Sequence, residues 1–139
     1  MNQNLFLKND LSEINKLTDA VFKFGKENNL SKETTGDLRL ALEEIVGNII
    51  SHGYDNNSVH QINVYIRYTD EKITIEVKDN AKPFNPLSIP GPDIEKPFNE
   101  REIGGLGLYI VCNLMDELEY KSKEGENILI MKKHRKNLK

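Results

Sequence analysis

All five prolines of the chain fall between Pro83 and Pro97. Proline cannot donate to a helix or a sheet ladder, so residues 80–103 can form neither a continuous helix nor a central strand, and everything on either side is free to form unbroken elements. A structureless stretch of that length inside a compact domain is usually a functional lid or a disordered segment. A length of 139 residues suits one core, so the expected organisation is a single domain over residues 1–139 with a Pro-rich lid at about 80–103.

The flanks of this stretch carry two different periodicities. Residues 4–8 read as a short strand, and Leu11, Ile14, Leu17, Val21 and Phe24 recur at helical spacing over residues 11–28. Ser31 opens a second helical run, in which Leu38, Leu42, Ile45 and Ile49 share one face as far as about residue 53. Ile62, Val64, Ile66 and Tyr68 then alternate with polar residues, as do Ile73, Ile75 and Val77 after a turn at residues 69–71, which predicts a hairpin with one buried face. Beyond the proline-rich stretch, Leu108, Val111, Cys112 and Met115 predict a third helix, and residues 117–121 and 127–132 a second hairpin around Gly125. The order is βααββαββ.

Composition removes several classes of function. A net charge of −3 and a pI near 5.7 argue against direct nucleic-acid binding, which needs a dense basic footprint. The cluster Lys132-Lys133-His134-Arg135-Lys136 reads as a solvated tail. The single cysteine, Cys112, can form no intramolecular disulfide and no metal cage alone, and reads as a buried core thiol in a reducing cytosol. No apolar run approaches the ~18 residues that span a bilayer, so no membrane segment and a cytoplasmic location are expected. His52 and His60 lack a partner cluster for a metal, and neither a Gly-x-Ser-x-Gly nor a Cys/His ligand set is present.

Chemistry could sit in three places. Glu44 and Asn48, four residues apart, lie on one face of the second helix at the border of its apolar stripe, with Glu43 pointing away from that stripe. The Asn48 carbonyl suits a hard cation such as Mg²⁺ that takes its other ligands from phosphates and water, and Glu44 could act as a base; a solvated helical edge is the alternative. Asp79 ends a strand whose alternation points it inward with Val77, where a carboxylate needs donors such as the exocyclic amine of a purine; a strand-closing turn is the alternative. Gly104-Gly105-Leu106-Gly107 precedes a helix, and backbone amides at a helix N-terminus favour phosphate, although three glycines can equally be a flexible entry. It is neither a P-loop nor a dinucleotide fingerprint.

In chain order, Glu44-Ile-Val-Gly-Asn48 with Ile-Ile-Ser-His-Gly-Tyr54, Asp79-Asn-Ala-Lys-Pro-Phe84 and Gly104-Gly-Leu-Gly-Leu108 resemble the three boxes of the histidine-kinase-like (GHKL) ATPase superfamily. Residues 38–54 and 105–120 look more closely like its anti-sigma-factor serine/threonine-protein kinase branch, a bacterial one. The resemblance implies an α+β, two-layer α/β sandwich, helices on one face of a mixed, mainly antiparallel sheet, with ATP held between the second helix and a mobile lid. It implies that Asn48 coordinates Mg²⁺, Glu44 serves as base and Asp79 binds the adenine amine. Ala81, Phe84, Gly104, Gly105, Leu106, Gly107 and Leu108 would complete the ATP site, with Gly105 and Gly107 on the phosphates.

Two departures from the family pattern stand out. Ala81 occupies the glycine position of the middle box, and the last hairpin, with Ile128, Leu129 and Ile130, has none of the threonines that many relatives place near the base. The family's activity is transfer of the ATP γ-phosphoryl group to a serine of a STAS-domain anti-anti-sigma protein, together with sequestration of a sigma factor, commonly as a homodimer. The alternative is a nucleotide-gated binding module with little or no transfer, which Ala81 leaves open. Lys16 falls where relatives often present a basic residue to a protein partner, and otherwise reads as solvated.

Overall fold

The computed structural model describes residues 2–54, 58–69, 71–82 and 105–134, with the backbone alone for 105 and 106. The expected lid falls almost wholly outside the described residues.

Strand β1 (Gln3–Lys8) leads through a 3-10 turn at Leu11–Glu13 into α1 (Ile14–Glu27). The single helix expected over residues 11–28 is therefore split. The cause is local: the Asp10 carboxylate accepts the Ser12 amide at 3.0 Å and caps the short turn first. Helix α2 (Lys32–His52) starts at Ser31, whose hydroxyl accepts the Thr34 amide at 3.0 Å. It is followed by β2 (Gln61–Thr69), β3 (Lys72–Asp79), α3 (Gly105–Leu114), β4 (Glu117–Lys123) and β5 (Glu126–His134). Glu124 and Gly125 both take positive φ, 54° and 79°, the backbone of a tight two-residue hairpin turn between β4 and β5.

The five strands lie in the order β1-β2-β3-β5-β4, and each neighbouring pair is antiparallel. Ile62, Val64 and Ile66 of β2, Ile73, Ile75 and Val77 of β3, and Leu129 and Met131 of β5 are buried on the inner face. There they form one core with Leu17, Val21 and Phe24 of α1, Leu38, Leu42, Ile45 and Val46 of α2, Leu108 and Val111 of α3, and Met115 just after it. The result is the expected two-layer sandwich, helices on one face of a sheet. Along β5 the apolar stripe is bracketed by two buried polar residues, Asn127 at one end and Lys133 at the other.

Three surface readings change. Lys132, Lys133 and His134 belong to β5, and Lys133 is buried: its Nζ donates to the Leu114 carbonyl at 2.8 Å and lies 3.8 Å from the Asp37 carboxylate. Cys112 is exposed, because α3 buries Leu108 and Val111 and leaves the cysteine on its outer flank. Lys16, although exposed, donates to the Phe6 carbonyl of the edge strand β1 at 3.1 Å.

Candidate functional site

The C-terminal half of α2 is the spine of the site. Glu44 and Asn48, one turn apart, are both half-buried. Glu43 turns the other way, towards α1, where it accepts from Thr18 at 3.3 Å and pairs with Arg39 at 3.1 Å. It is half-buried there. Glu44 instead meets the first turn of α3: a Cβ placed on Gly107 would overlap the Glu44 carboxylate. A glycine is therefore required at this position for the helix and the carboxylate to lie so close.

At the end of α2 a second close approach joins the helix to β3. A Cβ on Gly53 would come within 2.6 Å of the Ala81 Cβ, and the Gly53 carbonyl accepts the Lys82 amide at 2.9 Å. The methyl of Ala81 thus packs into room left by a glycine on the facing element. Glu44 and Gly53 are nine residues apart on one helical path, or roughly 14 Å at 1.5 Å per residue. Asn48 lies between these two contacts.

Asp79 is on the inner face of β3 and 8% exposed. Its Oδ1 accepts the Ala81 amide at 2.9 Å, closing an Asx turn, and the Asn127 side-chain amide at 2.9 Å. Asn127, opposite Asp79 in the β3–β5 register and 6% exposed, also donates to the Ala81 carbonyl at 2.9 Å and accepts from the Tyr120 hydroxyl at 2.8 Å. Burial raises the Asp79 carboxyl above the usual carboxylate range, the bonds from Asn127 and Ala81 work against that rise, and the nearby charge of Glu126 adds to it. Beside it, the Tyr54 hydroxyl is a buried atom without a hydrogen-bond partner among the described residues. Burial pushes its pKa up to about 12 with help from the Asp79 charge; the Asn80 amide opposes the rise without reaching hydrogen-bonding geometry. The Tyr54 ring stacks on His60, with centroids 4.4 Å apart and planes within 14°.

The residues singled out in the sequence thus fall into two groups along α2. Glu44 and Gly107 meet at one end, Asp79 and Ala81 at the other, with Asn48 between. Gly105 and Leu106 open α3, and Leu108 is part of the hydrophobic core. Phe84 and Gly104 lie outside the described residues. Sequence reading missed Gly53, Tyr54, Tyr120 and Asn127 as participants. Asn127 had a signal: alternation places it on the face of Leu129 and Met131, directly across from Asp79, whereas attention fell on its neighbours Ile128 and Ile130.

An adenine nucleotide fits this chemistry. A buried carboxylate with both of its described bonds on one oxygen, next to an orphaned hydroxyl, suits an amine-bearing planar base. Among the described residues no group of three or more His, Cys, Asp or Glu is placed to cage a metal. A lone Asn48 carbonyl is consistent with Mg²⁺ brought in on phosphates, which keeps most of its other ligands as water and phosphate oxygens.

Comparison with known proteins bears on the family of the chain. The sequence profile described as the histidine kinase-like ATPase domain matches residues 7–133. The serine-protein kinase RsbW of Bacillus mycoides is 33% identical over 100 residues, which make up 69% of this chain and 62% of that protein. RsbW of Bacillus cereus is 34% identical over 100 residues, with the same shares of 69% and 62%. The serine/threonine-protein kinase BtrW of Bordetella bronchiseptica is 26% identical over 97 residues, 70% of this chain and 68% of that one. The match therefore spans less than two thirds of the RsbW proteins. Among solved structures, the RsbU and RsbW domains of a Mycobacterium tuberculosis protein give a TM-score of 0.71 at 15% identity, covering 96% of this chain and 32% of that chain. At that identity the likeness speaks for the fold.

Proposed function

Because this chain belongs to the histidine kinase-like ATPase domain family, we propose that it is a Mg-ATP-dependent protein serine/threonine kinase of the anti-sigma-factor type, with the nucleotide lying along the C-terminal half of α2. The observation that carries this reading is the pair of close approaches on that helix, Glu44 against Gly107 and Gly53 against Ala81 beside Asp79. They bring Glu44, the glycine-bearing start of α3 and the buried Asp79 carboxylate to one helical edge, which supports the reading.

Each residue has a task that follows from its surroundings. Asp79 accepts the exocyclic amine of adenine through the oxygen that Ala81 and Asn127 leave open. The amides at the start of α3, with the partial positive charge of a helix N-terminus, favour the phosphates. Asn48 offers its carbonyl to Mg²⁺, whose charge offsets the negative charge on the transferring phosphoryl group. Glu44 accepts the proton of the serine hydroxyl as its Oγ bonds to the γ-phosphorus and the bond to the β,γ-bridging oxygen breaks, leaving ADP and phosphoserine.

The relatives named serine-protein kinases support a serine as acceptor. We assign as partners a STAS-domain anti-anti-sigma protein that carries this serine and a sigma factor that is held when phosphate has been transferred, with a homodimer as the working unit. A cytoplasmic site of action agrees with the finding that no helix among the described residues is long and apolar enough to cross a membrane. Calorimetric titration with ATP, ADP and GTP, with and without Mg²⁺, tests nucleotide binding. Mass spectrometry of a STAS-domain partner incubated with the protein and ATP tests transfer. A labelled serine is expected; binding without transfer would reduce the protein to a nucleotide-gated binding module.

A further inference from the structure

The contacts at the end of β3 assign a role to two residues outside the motifs. We infer that Asn127, held by Tyr120, is a positioning residue for adenine recognition: it fixes which oxygen of Asp79 is left for the exocyclic amine, without touching the base. This rests on the nucleotide-binding reading above and deepens it.

The carboxamide of Asn127 has two N–H donors and one carbonyl oxygen. One donor contact is to the Ala81 carbonyl, which can only accept, and the other is to Asp79 Oδ1, which also accepts the Ala81 amide, so the nitrogen must face them. That leaves its oxygen for Tyr120, whose hydroxyl must then donate. The orientation of the amide is therefore fixed by chemistry, and with both donors engaged the group has no N–H to offer a ligand. Its effect passes through Asp79. Both hydrogen bonds that the described residues make to that carboxylate fall on Oδ1, which commits Oδ2 to the ligand side.

Among the described residues, Tyr54 after α2 and Glu126 from β5 are titratable groups beside this carboxylate, and Tyr120 from β4 reaches it through Asn127. None of them can replace the amide. Glu126 is like-charged, the Tyr54 hydroxyl has no hydrogen-bond partner among the described residues, and Tyr120 donates to Asn127. Without Asn127, burial would favour the protonated carboxyl, and a protonated carboxyl is a poorer acceptor for an amine. The missing threonines of the last hairpin are thus answered by a different device, one that braces the aspartate from behind.

Calorimetry with Mg-ATP and with base-free tripolyphosphate on the purified chain tests this. Asn127→Ala is expected to weaken ATP about tenfold or more, the loss typical of a hydrogen bond to a charged group, and to leave tripolyphosphate affinity unchanged. Tyr120→Phe should give a smaller loss in the same direction. Asn127→Asp supplies a readout that a packing role would not move. At low pH the introduced carboxyl is protonated and can still donate to Asp79; as pH rises it ionises, the two carboxylates repel, and ATP affinity falls, whereas in the wild type affinity rises or holds as Asp79 gives up its proton. Should Asn127→Ala unfold, Asn127→Asp and Tyr120→Phe carry the test. Equal losses for ATP and tripolyphosphate, or a wild-type pH profile in Asn127→Asp, would overturn the inference. If Asp79→Asn loses ATP and Asn127→Ala does not, the relay is wrong and the nucleotide site stands; a wild type that binds no ATP overturns both.

Discussion

Glu43 and Glu44 are neighbours in sequence with different neighbours in space, and this difference separates their expected roles. Glu44→Gln should still bind ATP yet lose phosphoryl transfer by roughly 10²–10⁴-fold, the range for a removed general base. Glu43→Gln, which disturbs only the contacts to Thr18 and Arg39, should stay within a few-fold of wild type. Phosphoserine formation on a partner protein checks both, and equal losses would remove Glu44 from its role. Helical spacing was enough to put Glu44 and Asn48 on one edge; it could not reveal Glu43's burial, which depends on where α1 docks. Asp79 carries a second expectation. A raised carboxyl means that the folded state holds the proton more tightly than the unfolded chain, so its stabilising contribution is present below the ordinary carboxylate range and is lost as pH rises through the raised value. Asp79→Asn keeps an acceptor for Ala81 and Asn127 and should raise the melting temperature at neutral pH. The gain should shrink as pH falls through that value, even as ATP binding is lost. A melting shift constant from acid to neutral pH would contradict this.

At the scale of elements, the meeting of α2 with the end of β3 depends on a matched pair of small residues. Gly53→Ala adds a methyl where the Ala81 Cβ already sits, and should cost about 1–3 kcal/mol of stability, as overpacking typically does. Adding Ala81→Gly to that variant should recover most of the loss in thermal unfolding. An unrecovered loss would place the clash with the Ile49 carbonyl, the other close neighbour. The element order βααββαββ was legible because a 3.6-residue and a 2-residue rhythm differ plainly in this sequence. What those rhythms leave open is which flank of an element its neighbours cover. Cys112 lies at the edge of a helical stripe that sequence alone widens by one residue too many. Asn127 sits in a strand whose inner register becomes evident only once Asp79 is seen across from it.

For the molecule as a whole, Lys133 ties together elements that are far apart in sequence. Its ammonium lies at the C-terminal end of α3 and near Asp37 of α2, while its backbone belongs to the sheet. A lysine is rarely buried without such partners, which is why a run of basic residues read as solvated. Lys133→Ala strips the α3 terminus of its donor and leaves a vacancy beneath, with an expected cost of about 1–3 kcal/mol in denaturant unfolding; a change under about 0.5 kcal/mol, the level of ordinary surface substitutions, would show the contact to be incidental. The order of the strands has its own consequence. β5, furthest along the sequence of the described strands, fills the slot between β3 and β4. Since synthesis proceeds from the N-terminus, a growing polypeptide emerges from the ribosome with β3 still lacking its neighbour on that side and Asp79 unbraced. Competence to hold a purine would arrive late, when the final strand zips into the gap.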